Sequence, residues 1–177
     1  MLTTSTFTIT ESADSPDGFL KISLPADSTY KVKTNRKTSN QPLSTLTDGQ
    51  LAEGFGPVFG NGIKDGMYKI DLGSVKTVSA ISSWSYKQGK NRGTQKLTIF
   101  GSNANKDPGW NLNKMTPLGS ITTGPAGKKH TAASLQSHPG KPIGKYRWII
   151  WAVYPISNSG GGENTAFQEL GVSILGN

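Results

Sequence analysis

The sequence predicts an all-β protein, an antiparallel β-sandwich or jelly roll. Three observations carry this. Apolar and polar residues alternate over short runs, as where Tyr68, Ile70 and Leu72 interleave with Lys69 and Asp71, the period-2 pattern of a half-buried strand. The runs are punctuated by 22 glycines and 10 prolines in 177 residues, a composition suited to many short strands joined by tight turns. No stretch holds apolar residues at helical spacing for several turns, so almost no helix is expected.

Taken in order, residues 3–10 alternate and predict an opening strand. Ser15-Pro16-Asp17-Gly18 is a strong turn, after which Phe19–Leu24 is expected to return as the partner strand. Thr29–Lys33 reads as a short edge strand, because Lys31 and Lys33 share one face. Residues 35–42 read as a polar connection, and the Gly-rich stretch from Gly49 to Gly66 as an irregular loop exposing Phe55 or Phe59. Met67–Ser102 then reads as strands around Tyr68–Leu72, Val78–Trp84 and Leu97–Phe100, the first break falling at Gly73-Ser74. The second break, Ser85–Gln95, is long and polar, and a hydrogen-bonding loop on a rigid sheet is a usual place for binding. Met115–Thr122, His130–Leu135, Lys145–Tyr154 and Phe167–Ile174 complete the set; Lys145–Tyr154 is apolar on both faces, as befits a central strand. No repeat or linker divides the chain, so one domain is expected over residues 1–177.

Composition narrows the function. The net charge is +8, which favours anionic partners. The cations are scattered, however, and no zinc-finger spacing or RNA-binding aromatic pair is present, so the sequence does not point to nucleic acid. There is no cysteine, which excludes disulfides and thiolate metal sites. The first residues lack the basic start and apolar core of a signal peptide. The residues leave two expectations, a cytosolic protein or an extracellular module of a larger secreted chain.

Catalytic signatures are lacking too. There is no G-x-S-x-G elbow and no H-E-x-x-H zinc motif. No local pattern singles out a pair among the 11 acidic residues for acid–base hydrolysis. The glycines of residues 54–56 do not continue into a dinucleotide fingerprint. The Asn103–Asp107 segment fails as a calcium loop, with Pro108 where glycine is required and Lys114 where a glutamate is. The protein is expected not to be an enzyme.

A family likeness emerges from the order of several motifs. Leu46-Thr47-Asp48-Gly49 is followed by Tyr68–Val75 with Val78 and Ile81, then by Asn91-Arg92, Leu97–Ser102, Trp110, Tyr146–Ile149 and Phe167–Leu170. This series resembles the discoidin, or coagulation factor 5/8 type C, domain over residues 42–175. Residues 1–41 fall outside it and read as an N-terminal hairpin extension. The resemblance implies a galactose-binding-like jelly roll acting as a carbohydrate-binding module, with appended enzyme domains as its partners in the same chain. A discoidin-like domain binding proteins or a phospholipid membrane surface is the alternative, for which Phe55 and Phe59 near Lys64 could serve as apolar spikes.

The resemblance also implies sites. A structural calcium would involve Asp48 and Glu169; otherwise Asp48 serves an ordinary Asp-Gly turn and Glu169 is a solvated strand residue. The ligand would lie on loops at one end of the sandwich. Tyr86, Lys87 and Asn91 supply an aromatic face, a cation and an amide, the groups that take a sugar's C–H patch and hydroxyls. Lys87 falls near the place of the family's arginine and Asn91 near its asparagine, and lysine lacks the bidentate fork. Phe55 and Phe59 are expected to frame the pocket on one side, Asn164 and Phe167 on the other. Arg92 is assigned to packing against the sheet. The family's early-loop histidine has no counterpart, since His130 and His138 come later. Trp84, Trp148 and Trp151 are assigned to the core, with Trp110 beneath its turn.

Overall fold

The computed structural model describes residues 5–26, 28–88, 92–156 and 164–176. Its strands are β1 (Thr6–Ala13), β2 (Val32–Thr34), β3 (Thr38–Asn40), β4 (Pro57–Phe59), β5 (Gly66–Tyr86), β6 (Lys96–Ser102), β7 (Thr116–Thr122), β8 (His130–Ser137), β9 (Gly144–Val153) and β10 (Phe167–Ile174). All pairings among them are antiparallel.

The central element is β5, 21 residues long. Its first half pairs with β2 on one side and β9 on the other, extending through β6 to β7. Its second half lies between β10 and β8, and β8 carries β1. One strand therefore serves both layers of the sandwich. The expected break at Gly73-Ser74 is instead a bulge: pairing with β9 slips between Asp71 and Lys76 and then resumes. Gly73 has φ +82°, a conformation glycine adopts at little cost, so the strand bends without ending.

Two other expectations are corrected. Phe19–Leu24 forms no strand, and β1 pairs with β8 rather than in a local hairpin. The Glu11 carboxylate satisfies the segment instead, accepting the amides of Leu20, Lys21 and Ile22 at 3.2, 2.9 and 2.8 Å. Residues 35–42 hold β3, which pairs with β4 from the Gly-rich stretch and makes that loop an ordered ribbon. The outer edges of the two layers also meet, where the Thr6 hydroxyl on β1 donates to the Leu118 carbonyl on β7 at 3.0 Å.

The core between the layers is Leu46, Tyr68, Ile70, Ile81, Leu97, Ile99, Leu135, Ile149 and Trp151, all buried. Trp84 and Trp148 are buried as expected. Lys69 is not the exposed strand residue that alternation implies: it is 1 % exposed. Its ammonium pairs with Asp107, donates to the Gly109 carbonyl at 2.9 Å, and sits 3.9 Å from the centre of the Trp110 ring. Trp110 thus packs under its turn by covering a lysine.

Candidate binding cleft at one end of the sandwich

Where β5 ends and β10 begins, the backbone is tied across the chain. The Tyr86 amide donates to the Ala166 carbonyl at 2.9 Å, and the Ala166 amide to the Arg92 carbonyl at 2.8 Å. Beneath this knot Ser85 and Gln95, at the two ends of the loop, are consumed internally. Gln95 is fully buried, its amide nitrogen donating to Ser83 O, Thr131 O and Ser85 Oγ at 3.2, 3.1 and 3.0 Å. Ser85 Oγ donates to the Gly93 carbonyl at 2.6 Å. In the fold these groups staple the loop base to the sheet, because a buried polar group must find a partner.

A cleft of about 520 Å³ opens beside the knot, lined among others by Phe55, Phe59, Lys64, Arg92 and Asn164. Arg92 dominates one wall. Its Nε donates to the Asn164 carbonyl at 2.9 Å and Nη2 to Asn164 Oδ1 at 2.6 Å. Asn164 Nδ2 in turn donates to the Ile63 carbonyl at 2.9 Å. The guanidinium carbon lies 4.9 Å from the Phe55 ring centre, within cation–π range. Burial pulls the Arg92 pKa down, yet a guanidinium remains charged. The wall is a fixed cationic plate, held at its edge by an amide and on its face by an aromatic ring.

The predicted residues divide accordingly. Phe55, Phe59 and Asn164 meet in the cleft. Phe59 contributes to the floor while stacked on Tyr68 at 5.1 Å, and burial pushes the Tyr68 phenol pKa up. Phe167 does not line it; it is 2 % exposed and meets Tyr68 edge-on within the core. Neither does Tyr86 or Lys87. The Tyr86 ring lies against His130 at 5.2 Å, and the exposed Lys87 donates its amide to Lys129 O at 2.7 Å. The pleat decides this: with Ser85 turned inward, Tyr86 takes the opposite face. Asn91 lies outside the described residues. Arg92, read in sequence as packing, is a wall of the cleft. Lys64 was noted only for the membrane alternative, and nothing local marked Ser39 and Asn40, which also line the cleft.

No family model matches the sequence, and no curated protein matches it. Solved structures do match. A family 32 carbohydrate-binding module of C. perfringens NanJ, in complex with galactose, aligns over 81 % of this chain and 92 % of its own with 18 % identity and a TM-score of 0.54. Chitosan-binding module 2 of a Paenibacillus sp. IK-5 chitosanase/glucanase, in complex with chitotriose, aligns over 81 % and 95 % with 14 % identity and a TM-score of 0.54. The family 32 module of AlyQ, in complex with 4,5-unsaturated mannuronic acid, aligns over 81 % and 93 % with 18 % identity and a TM-score of 0.51. The chain has the galactose-binding-like sandwich fold of these modules.

Within this galactose-binding-like sandwich the turn that carries Asp48 meets the strand that carries Glu169. Asp48 follows the short 3-10 turn Leu43–Thr47, and its Oδ1 accepts the Gln50 amide at 2.9 Å. Glu169, on β10, is completely buried rather than solvated, and its Oε1 accepts the Gly49 amide at 3.3 Å. The aspartate–glycine turn and the closing strand therefore meet at a buried carboxylate. Among the described residues no group of three or more acidic or histidine side chains forms a metal site.

Proposed function

We propose that this chain is a non-catalytic carbohydrate-binding module that holds a polysaccharide through the cleft at the end of the sandwich. The observation that carries the reading is the Arg92 plate, fixed between Asn164 and Phe55. A planar cation with rigidly aimed N–H groups, an amide and an aromatic ring together suit a sugar's hydroxyls and C–H face. Modules of the same fold carry galactose, chitotriose and an unsaturated mannuronic acid, which supports a glycan as the ligand class. Phe59 is buried and Phe55 lies against Arg92, which favours a glycan over a lipid surface needing exposed apolar spikes.

Among the described residues the cleft lining holds Arg92 and no carboxylate. Together with the net charge of +8, this favours an anionic polymer such as a uronic-acid or sulfated glycan. The module would act in a secreted enzyme, keeping its appended catalytic domains near substrate. Asp48 and Glu169 would hold a structural calcium that pins the loop preceding β4 to β10.

A glycan array of neutral and anionic sugars, run with calcium and with chelator, tests this on the wild type and on Arg92→Ala. The wild type is expected to bind, and the folded variant to lose at least about tenfold in affinity, or about 1.4 kcal/mol. Raising salt from about 0.1 M to about 1 M shortens the screening length from about 10 Å to about 3 Å, and should weaken binding steeply. Salt-independent binding would rule out the anionic ligand alone. A folded wild type silent on every glycan would remove the carbohydrate reading.

A further inference from the structure

We infer that the Arg92 cleft is one half of a longer groove that takes at least two consecutive units of a glycan chain. The inference rests on the carbohydrate reading and specifies its substrate as a chain segment rather than a single terminal sugar. It starts from a second cavity of about 450 Å³, lined among others by Gln41, Ala52, Glu53 and Gln168. Phe55 and Asn40 line both cavities, so the two adjoin along a shared ridge. Each volume lies within the roughly 300–1,000 Å³ usual for small-molecule sites.

The ridge is built rather than incidental. Gly56, directly after Phe55, has φ +62°, and a Cβ there would overlap the Phe167 carbonyl oxygen. Gln168 is buried, and its side-chain amide donates to the Gly54 carbonyl at 2.8 Å. The backbone on both sides of Phe55 is thereby drawn tight against β10, which fixes the ring between the cavities. On the other bank Asn40 has φ 74°, the one left-handed non-glycine among the described residues, and β3 ends there by pairing with Pro57. Strained backbone of this kind persists where its surroundings hold it in place.

The two halves also differ in chemistry. The first is cationic, through Arg92. The second has amides and carboxylates in its lining, with Glu53 neutralised by Lys129 at 2.5 Å. An aromatic ridge between differently polar pockets suits adjacent sugars, each offering hydroxyls of its own while the linkage crosses the ring.

Calorimetric titration of the folded chain with sugars of different length is the test. The probe pairs are galactose and galactotriose, glucosamine and chitotriose, and mannuronate and its trimer. The variants are Ala52→Trp, which fills the second cavity from an exposed position, and Asn61→Trp, which does the same in the first. For the series that binds, the trimer is expected to bind at least about tenfold more tightly than the monomer, beyond any statistical gain. Ala52→Trp should bring the trimer down to the monomer's affinity and leave the monomer unchanged, while Asn61→Trp abolishes both. Equal affinity at both lengths, or a length effect surviving Ala52→Trp, overturns the groove and leaves a single-sugar cleft. Failure of the wild type to bind any probe overturns the carbohydrate reading and the groove together.

Discussion

Replacing Asp107 by alanine removes the counter-charge of a lysine that has almost no access to water. Lys69 is 1 % exposed and bonds Asp107 and the Gly109 carbonyl beneath Trp110. Stripping one partner from a buried ion pair costs about 3–5 kcal/mol, because the remaining charge is left desolvated. Here the carbonyl and the ring persist, and Asp107 is 39 % exposed, so solvent already screens part of the attraction. The expected loss is therefore about 2–3 kcal/mol. At about 2–4 °C per kcal/mol for a chain of this size, Tm should fall by about 4–12 °C. Lys33 also bonds Asp107 at 2.9 Å, but it is 58 % exposed and should matter little.

Removing both charges, in Lys69→Met with Asp107→Ala, should restore stability to within about 1 kcal/mol of wild type, since apolar replacements of buried pairs are often neutral. The pH dependence has a definite sign. Burial opposes ionisation of Asp107, but hydrogen bonds from Lys69, Lys33 and the Gly109 amide outweigh it and hold the carboxyl well below its ordinary value of 3.8. A depressed folded pKa stabilises above the unfolded pKa and loses that effect as pH falls. The gap between wild type and Asp107→Ala should be full near neutrality and shrink below about pH 4. Urea unfolding monitored by tryptophan fluorescence reads all of these. A double variant as unstable as the single one would refute the buried-charge reasoning.

Two further outcomes follow from the same kind of argument. In Glu11→Ala the amides of Leu20, Lys21 and Ile22 lose their shared acceptor. Hydrogen exchange should accelerate at those positions, with a stability loss of about 1 kcal/mol for such a solvent-screened group. Burial opposes ionisation of Glu11, yet the amides win and lower its pKa from 4.5; its contribution should accordingly be present at neutral pH and fade on acidification below about pH 4.5. Gly56→Ala and Gly62→Ala both place a side chain at positive φ, but only the first overlaps neighbouring backbone. Thermal unfolding should show about 1 kcal/mol lost at Gly62 and clearly more at Gly56, about 2–4 kcal/mol. Equal losses would mean that the β10 contact does not hold the loop.

The strands were legible because a half-buried strand has to alternate, and most of the expected ones occupy their places. Tyr68, Ile70 and Leu72 face the core as their spacing requires. The failures came where a local signal had more than one tertiary outcome. Gly73 could have ended a strand or bulged it, and only the presence of β9 along both sides of the bend decided for the bulge. Phe19–Leu24 had strand-like composition, but β1 found its partner in β8 and left the segment to Glu11.

The same division runs through the site. That Phe55, Phe59 and Asn164 line one cavity could be expected from the family resemblance. The role of Arg92 could not, because it depends on Asn164, 72 positions away in the chain. Nor could the exclusion of Phe167, Tyr86 and Lys87, since each strand's alternation tells which residues share a face but not which face meets solvent. Lys69 is the plainest case. Its sequence position is that of a solvated lysine, and it is buried because Asp107, Gly109 and Trp110, about 40 residues on, fold over it. Alone, the sequence determined the periodicity of the strands; the fold decided what covered each face, because burial depends on the surfaces that distant segments bring.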